Sequence, residues 1–370
     1  MAEYLTNTAE LTAVANAIRE KGGTSEQLAC PDGFVAAIQA IQTGVPLQIA
    51  VTTNAGATVT ATKGSKTVSG TADTSGHCTL TVDEAGTWTV TAATASTTKT
   101  SDVVVGISNV FLLSVDSVLN NNSWETIKKV SDAGQGANYW SIGDRKEVTL
   151  NGTVGHLSLS NYTTYAFIIG FNHNASVEGS NRIHFQIGKT ALSGGTDVCL
   201  VSGYDNDSDF YMNTSNTNSG GWNNSYMRKT ILGTSLSSYS GTFIGVLPAA
   251  LRAVLKSVTK YTDNTGGGST AASAVTATTD YAFLLSEYEV FGSISRANSN
   301  EASKQAQYDY YKAGNSKVKY NHSATSTAVP WWLRSPNSSN SYTFVIVDTN
   351  GTVNRRNASY SHGFAPGFCV

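Results

Sequence analysis

The sequence predicts a multidomain protein built mostly from β-strands, with a short helical segment at the N-terminus and an α+β domain at the C-terminus. Charged residues make up only 14% of the 370 residues, and Ser, Thr, Asn and Gly are abundant, which is typical of turn-rich β structure. After residue 45 a long stretch alternates apolar and hydroxyl side chains, which is the period of half-buried strands. A chain of this length has room for two or three domains with cores of ordinary size.

Residues 1–45 predict two short amphipathic helices. The first has Leu11, Val14 and Ile18 at helical spacing, and the second opens at Pro31 and ends before Gly44. So small a helical pair buries too little apolar surface to be stable alone. We therefore expect an attachment or oligomerisation segment, with trimerisation favoured.

Residues 46–106 predict a small β-sandwich that acts as a spacer. Apolar residues alternate with Thr at 57–61, 78–82 and 88–90, as expected for antiparallel strands with one exposed face. Turn signals separate these runs at Lys63-Gly64, Ser75-Gly76 and Ala85-Gly86. The segment is similar to immunoglobulin-like or carboxypeptidase-regulatory-type domains, although Cys78 alone lies within it, so the intersheet disulfide of antibody domains is not expected.

Residues 107–370 predict a large α+β domain that ends in several apolar strands. A helix is predicted from Pro248 through residue 262. Its buried face is expected to carry Leu251, Val254, Leu255 and Val258, which recur at helical spacing.

Charge, hydropathy and cysteine usage exclude several classes of partner. A net charge of −2 provides no field that would gather nucleic acid. No apolar run reaches the roughly 18 residues that a spanning helix needs, and the first residues lack the pattern of a secretory signal, so we expect folding in the cytoplasm without membrane insertion. The four cysteines follow no metal-ligand spacing and are expected to be free, buried thiols rather than disulfides: Cys30, Cys78, Cys199 and Cys369.

The N-terminal stretch ANAIREKGGTSEQLACPDGFVAAIQAI resembles the first segment of many tail and baseplate-associated proteins of phages that infect Gram-positive gut bacteria. The resemblance implies that this segment attaches the protein to other proteins of the virion tail. An oligomerisation hairpin with no viral role is the alternative interpretation.

A second resemblance involves three motifs in the large domain: Gly220-Gly221-Trp222 with Arg228, FLLSE at 283–287, and WWLRSP at 331–336. In this order they resemble the C-type-lectin-fold domains of gut phages and bacteria. These domains are distantly related in fold to formylglycine-generating enzymes and to the variable proteins of diversity-generating retroelements. The resemblance implies a C-type-lectin-like domain in which the WWLRSP strand fixes the core and the polar residues after it form an exposed ligand-binding face.

The retroelement resemblance implies that residues 337–362 form a variable region. Mutation of template adenines turns Asn codons into several others but never into codons for Lys, Glu, Gln, Met or Trp, and none of these five occurs in the region. Apolar residues there and nearby are expected to be scaffold: Trp331, Trp332, Leu333, Val345, Val347, Val353, Phe364, Pro366 and Phe368. Residues 348–351 predict a turn between strands in which Gly351 takes a positive φ.

The polar and aromatic residues of this region are the candidate ligand-binding residues. Tyr offers rigid contact area, Ser and Asn adapt their hydrogen bonds, and Arg pairs with planar anions, which is the composition of antibody paratopes. The candidates are Asn337, Ser338, Ser339, Asn340, Tyr342, Phe344, Asn354, Arg355, Arg356, Asn357, Ser359, Tyr360 and His362. An ordinary solvated loop is the alternative.

No cofactor or metal site is predicted. Asp205, Asp207 and Asp209 alternate as at the start of an EF-hand, but Phe210 and Asn216 replace the required Gly and Glu, so only a looser calcium site stays open. Histidines lie on different predicted elements without the spacing of a zinc site: His156, His173, His184, His322 and His362. The Gly266-Gly267-Gly268 run predicts a flexible loop rather than a phosphate cradle.

Together these observations predict a non-enzymatic receptor-binding protein of a phage tail, which acts outside the cell on a host surface protein or glycan. A bacterial surface adhesin is the second hypothesis. The third is an oxidase like the formylglycine-generating enzymes, whose copper-dependent chemistry uses a pair of thiols; the large domain has only Cys199 and Cys369 to supply one.

Overall fold

The computed structural model describes Thr12 and residues 14–18, 47–105, 110–202 and 209–370. The chain is mostly β-sheet and divides into two compact units, Met1–Val115 and Asp116–Val370. Residues 14–18 are helical, and the predicted second helix near Pro31 lies outside the described residues. Within the described residues, no helix is long and apolar enough to cross a membrane.

The first unit contains two sheets that share one apolar core, one antiparallel and one mixed. Three strands pair in the order β4-β1-β7 and four in the order β3-β2-β5-β6. The strands are β1 (Leu47–Thr52), β2 (Thr58–Lys63), β3 (Lys66–Thr71), β4 (His77–Val82), β5 (Thr87–Ala93), β6 (Thr98–Val104) and β7 (Val110–Phe111). Burial alternates along β4 and β5, and Trp88 is fully buried in the common core. The predicted turn glycines Gly64, Gly76 and Gly86 all have positive φ, which confirms the three turns.

The boundary between the units follows residue 115, later than the predicted boundary after residue 106. The reason is β7, which pairs in parallel with β1 through Val51↔Val110 and Thr52↔Phe111. Asn54 also accepts a hydrogen bond from the backbone N–H of Ser114 at 3.1 Å. A short strand after the apparent end of the sandwich therefore belongs to it.

The second unit contains a five-stranded sheet and several smaller ones. The sheet orders are β14-β20-β10-β9-β8, β11-β15-β16, β12-β13 and β17-β18-β19. The strands are β8 (Arg145–Val154), β9 (Leu157–Phe171), β10 (Ile183–Lys189), β11 (Val198–Cys199), β12 (Val258–Asp263), β13 (Val275–Asp280), β14 (Ala282–Phe283), β15 (Lys319–Asn321), β16 (Ala324–Val329), β17 (Trp331–Pro336), β18 (Thr343–Val347), β19 (Val353–Asn357) and β20 (Gly367–Cys369).

Short helices connect these strands. The α-helices are Trp124–Asp132, Gly136–Tyr139, Ala175–Glu178, Gly221–Asn224, Phe243–Val246, Ala249–Arg252, Glu287–Phe291 and Asp309–Lys312. A π-helix spans Met227–Leu232, and 3₁₀ turns span Leu119–Asn121, Ala272–Ala274 and Ser299–Lys304. The unit thus combines mostly antiparallel strands with short helices, as expected for the α+β class.

The helix predicted from Pro248 was wrong in its length. It ends at Arg252, and Val258 begins β12, which pairs with β13 over six residues. The backbone N–H of Lys256 donates to Cys369 at 2.9 Å, so the chain is already committed to sheet pairing before Val258. Pairing with β13 therefore outweighed the helical spacing of this Val- and Thr-containing segment. Leu251 and Val258 are nevertheless buried, as predicted.

The motif around Gly221 is fixed by close packing. Gly221 has φ of +53°, and a Cβ there would lie 2.0 Å from the carbonyl oxygen of Asp263. Trp222 is fully buried and its indole N–H donates to Asp280 at 3.1 Å, while Arg228 Nε donates to the same carboxylate at 2.6 Å. These motif residues are therefore structural in this unit.

The FLLSE and WWLRSP motifs meet in a buried ion-pair network. Ser286 caps the helix Glu287–Phe291 in a capping box with Glu289. Glu289 also accepts two hydrogen bonds from Arg334 of β17, and Lys260 of β12 contacts Glu289 at 2.9 Å. Glu289, Arg334 and Lys260 are each at most 1% exposed, so β17 is anchored by charges that have no access to water.

Candidate ligand-binding face

The β18–β19 hairpin pairs a half-buried edge strand with a fully buried strand. All five residues of β18 are buried, whereas all five residues of β19 are half-buried. The turn between them is closed by a hydrogen bond from the Gly351 N–H to the Asp348 carbonyl at 2.9 Å, and Gly351 has φ of +81°. This confirms the predicted turn.

The candidates on β19 point alternately to two faces. In the ladder Arg355 lies opposite Val345, and Arg356 lies opposite Phe344. Because side chains alternate along a strand, Arg355 and Asn357 share one face while Arg356 shares the other with Asn354. The four consecutive polar residues therefore do not form one surface.

Asn354 and Arg356 are engaged by a carboxylate of the same hairpin. Asn354 Nδ2 donates to Asp348 Oδ2 at 2.7 Å, and Arg356 Nη2 lies 3.4 Å from that oxygen. Burial raises the pKa of Asp348, but the hydrogen bond from Asn354 and the charge of Arg356 bring it below its ordinary value. These two candidates hold the hairpin as well as offering polar groups to a ligand.

His362 lies behind this cluster against Trp332, with ring centroids 5.0 Å apart. Both ring nitrogens are buried and make no hydrogen bond to any residue that the structure describes. Burial, and then the charge of Arg356, lowers the pKa of His362 to about 4, so the ring is neutral at pH 7.

We expect His362 to make the protein less stable in mild acid. The folded pKa of about 4 lies below the unfolded value of 6.5, so only the unfolded chain binds this proton between those values. Stability is therefore full above pH 6.5 and falls as the pH drops towards 4. Urea unfolding at pH 7.5 and 5.5 should show a loss that is about 1 kcal/mol larger for the native protein than for His362→Asn. Equal losses would mean that His362 titrates normally.

Hydrogen bonds from Asn218 anchor the backbone of the loop from 337 to 343. Its Nδ2 lies within hydrogen-bond distance of the carbonyl oxygens of Asn337 (3.1 Å), Asn340 (2.9 Å) and Thr343 (2.9 Å). Its Oδ1 accepts from the Gly267 N–H at 2.7 Å, and Asn218 is fully buried. Asn218 precedes the Gly220-Gly221 motif, but no sequence signal identified it as the anchor.

Two candidates are scaffold and not contact residues. Phe344 is fully buried, because the central strand of the small sheet is covered on both faces. Asn337 is 1% exposed, and its Oδ1 accepts from the N–H and hydroxyl of Ser339, both at 2.6 Å. Their assignment as ligand-binding residues is therefore wrong.

Two further candidates mainly shape the same loop. Asn340 Oδ1 accepts hydrogen bonds from the backbone N–H of Tyr342 and from Thr343, so its side chain closes a turn. Ser338 donates its hydroxyl to the carbonyl oxygens of Arg296 (3.1 Å) and Ala297 (3.0 Å). Both are partly buried.

The remaining candidates include two exposed tyrosines. Tyr342 is 45% exposed and Tyr360 is 53% exposed; the other large apolar side chains exposed in the described chain are Val118 and Leu192. A hydrogen bond from the Ala358 N–H to the Tyr342 carbonyl at 2.9 Å continues the hairpin ladder and brings the two tyrosine segments together. The accessible set is Ser339, Tyr342, Arg355, Arg356, Asn357, Ser359 and Tyr360.

A second cluster of titratable side chains lies in the core and brings together two of the five histidines that were expected to lie apart. His173, Glu178 and His184 each offer one possible metal ligand, and these atoms lie within 4.8 Å of one another. However, the Lys260 ammonium lies 2.7 Å from Glu178 Oε2 and bridges it to Glu289. We interpret the cluster as part of the internal ion-pair network, since Lys260 already supplies positive charge at the carboxylate that an ion would need.

The described cysteines are free and buried. Burial raises the pKa of both Cys199 and Cys369 to about 12. Cys199 lies beside the Tyr320 carbonyl, and Cys369 lies 3.2 Å from His184 Nδ1. Neither is a ready thiolate at neutral pH.

The predicted calcium-like triplet is described only at its last residue, since Asp205 and Asp207 lie outside the described residues. Asp209 is 3% exposed and accepts hydrogen bonds from Ser202 Oγ and from the His156 N–H, both at 2.9 Å. In the part of the chain that is described, Asp209 therefore acts as a loop anchor.

Part of the sequence matches a known protein family. The sequence of residues 196–370 matches a family described as a domain of unknown function (DUF6273). This stretch contains the motif at Gly221, the anchor Asn218 and the whole candidate face. No curated protein and no solved structure matches the chain.

Proposed function

We propose that this protein is a receptor-binding protein of a phage tail, and that the accessible residues around the β18–β19 hairpin bind the host receptor. The observation that carries the proposal is the pair of exposed tyrosines, Tyr342 and Tyr360, on a hairpin whose central strand is buried. In this proposal the first unit is an immunoglobulin-like spacer and the second a C-type-lectin-like domain. Residues 1–45 attach the protein to the tail.

The chemistry of the face suits recognition of a macromolecule. Tyr342 and Tyr360 contribute large contact areas with few torsions to immobilise, and Arg355 adds a planar cation between them in sequence. A standard interface uses about 20 to 30 residues per side, so the accessible set supplies a central patch and not a whole footprint. Several copies on one virion raise the effective concentration, so that weak single sites can suffice.

The division between scaffold and surface supports diversification of this face by a retroelement. Side chains at Ser339, Tyr342, Arg355 and Tyr360 leave the core, so their replacement does not open cavities. Phe344 and Asn337 lie in the same region but are buried and need to be retained. The gene should therefore be accompanied by a reverse transcriptase and by a near-copy of the C-terminal coding stretch that differs mainly at adenines. If both are missing, the diversification proposal fails and the binding proposal can still stand.

A thiol-dependent oxidase is less well supported. Cys199 and Cys369 are fully buried, have raised pKa values and contact different partners. A bacterial adhesin would use the same face, and host-cell binding by tail particles distinguishes it from the phage protein.

The test replaces Tyr342, Tyr360 and Arg355 by Ala, one at a time, in the full chain. If they are hot spots, each should lower binding to cells of the host bacterium by about thirtyfold, equivalent to about 2 kcal/mol, with little change in melting temperature. Val118→Ala and Leu192→Ala are matched controls, because they remove the other exposed large apolar side chains. Binding that survives all three changes would contradict the assignment of the face, and a parallel loss of folding would mean that these residues are structural.

A further inference from the structure

A polar cavity of about 630 Å³ opens in the second unit, apart from the candidate face. It lies between the end of β10, the loop before β11, the helix Asp309–Lys312 and strands β15 and β16. The lining residues are Lys189, Gly195, Thr196, Asp197, Tyr310, Asn315, Ser316, Val318, Tyr320, Thr325 and Ser326. Its volume falls within the range of small-molecule sites, roughly 300–1,000 Å³.

At the inner end of the cavity, a lysine, an aspartate and a tyrosine hydroxyl contact one another. The Lys189 ammonium contacts Asp197 Oδ1 and donates to the Tyr310 hydroxyl at 2.8 Å. Lys189 and Asp197 are also joined through their backbones, as an isolated antiparallel bridge. Asp197 lines the cavity, so its carboxylate can accept a hydrogen bond from a ligand there. A carboxylate held by a lysine is a strong, fixed acceptor for hydroxyl groups.

The walls combine two aromatic rings with small polar side chains. The ring of Tyr310 is almost wholly buried, and Tyr320 is half-buried. Asn315 Nδ2 donates to the Tyr310 carbonyl at 2.7 Å, which orients its Oδ1 as a further acceptor. Thr325 and Ser326 are exposed at the rim and add hydroxyl groups.

This lining selects the class of ligand. Apolar molecules would leave the hydroxyl, amide and carboxylate groups without partners, which is costly. A strongly anionic or cationic ligand gains little, because the charges of Lys189 and Asp197 already neutralise each other. We propose that the cavity binds a neutral saccharide of one or two rings, with hydroxyl groups on Asp197 and Asn315 and an apolar ring face against Tyr320.

The site goes beyond the proposed function, because none of its lining residues lies within 337–362. It is nevertheless close to the hairpin: a Cβ on Gly351 would lie 3.2 Å from the Val318 side chain, and Val318 lines the cavity. Substitutions in the candidate face would therefore leave intact the residues that hold a saccharide in the cavity.

The test uses full-length protein and a panel of uncharged probes: the methyl glycosides of glucose, galactose, N-acetylglucosamine and rhamnose, with glycerol phosphate as the anionic comparison. Saturation-transfer NMR identifies a binding probe, and titration calorimetry measures its Kd. Thr325→Trp fills the rim of the cavity, whereas Thr327→Trp places the same ring on the same exposed strand outside the lining. The double variant Tyr342→Ala, Tyr360→Ala tests the candidate face in the same assay.

We expect at least one glycoside to bind with a millimolar Kd, and Thr325→Trp to weaken it at least about tenfold, while Thr327→Trp and the tyrosine variant change it less than about twofold. The proposal is overturned if no glycoside binds at about 20 mM, a concentration that would reveal even a weak site. It is also overturned if glycerol phosphate binds in preference, or if the tyrosine variant abolishes binding and Thr325→Trp does not. Loss of host-cell binding by the tyrosine variant, with saccharide binding intact, would support both proposals separately.

Discussion

Replacing Arg334 by Met should destabilise the second unit by about 3 to 5 kcal/mol, because the buried Glu289 then keeps only Lys260 among its described cationic partners and shares it with Glu178. Arg334 is fully buried and donates to both oxygens of Glu289, to Thr262 Oγ1 at 2.7 Å and to the Leu284 carbonyl at 2.9 Å. Burial alone would raise the pKa of Glu289, but Arg334 and Lys260 hold it below the ordinary value. Met fills similar volume and supplies no charge. Urea unfolding monitored by tryptophan fluorescence measures the loss.

The matched control for Arg334→Met is Lys128→Met. Lys128 pairs with Asp132 on the helix Trp124–Asp132, and both side chains are exposed. Exposed pairs of this kind contribute roughly 0 to 1 kcal/mol, so the control should unfold almost as the native protein does. If Arg334→Met also costs less than about 1 kcal/mol, then Glu289 takes up a proton at little cost and the network is not what anchors β17.

The second large effect is expected for Asn218→Ala, which removes the anchor of the 337–343 loop. One side chain serves three carbonyl oxygens and the Gly267 N–H, and several of these groups are buried. Leaving them without partners should cost about 3 kcal/mol. Hydrogen exchange of residues 337–343 should also quicken, and binding to host cells should weaken although no contact residue has changed.

Asn224→Ala provides the control for the Asn218 variant. Asn224 is an exposed asparagine six positions later in the sequence, and it accepts a hydrogen bond from Lys229 at 2.8 Å. Its replacement should change stability by no more than about 0.5 kcal/mol. If the two variants exchange at the same rate in the loop, Asn218 does not hold it and the loop is shaped by its own turns.

Features determined by neighbouring residues were predictable from the sequence. The period of β4, the turn glycines and the turn at Asp348 and Gly351 all follow from local backbone requirements. Trp331 and Trp332 were expected in the core and are fully buried there.

Features that depend on distant partners were not predictable. Nothing near Phe344 indicates that a further layer covers its side of the hairpin, so an aromatic residue in a polar region was assigned to the surface. Val258 followed a helical spacing, but β13 supplied a partner for a strand. His173 and His184 flank a short connection that brings them close to each other and to Glu178, and Lys260 from another sheet pairs with Glu178.

The alternation along β19 affects how its residues can vary. Asn354 and Arg356 contact Asp348, and the charge of Arg356 also lowers the pKa of His362. A change at Arg356 should therefore alter both the ligand contact and the stability of the hairpin. Arg355 is the better position for a change of specificity alone.

The hydrogen bonds from Asn218 to the backbone of the 337–343 loop affect how this loop can change in evolution. Because Asn218 binds carbonyl oxygens, which every amino acid carries, these hydrogen bonds do not depend on the exposed side chains at Ser339 and Tyr342. A single codon more than 100 positions upstream thus preserves the geometry while the surface sequence drifts. If the face is diversified as proposed, its exposed positions can change without a new anchor for the loop.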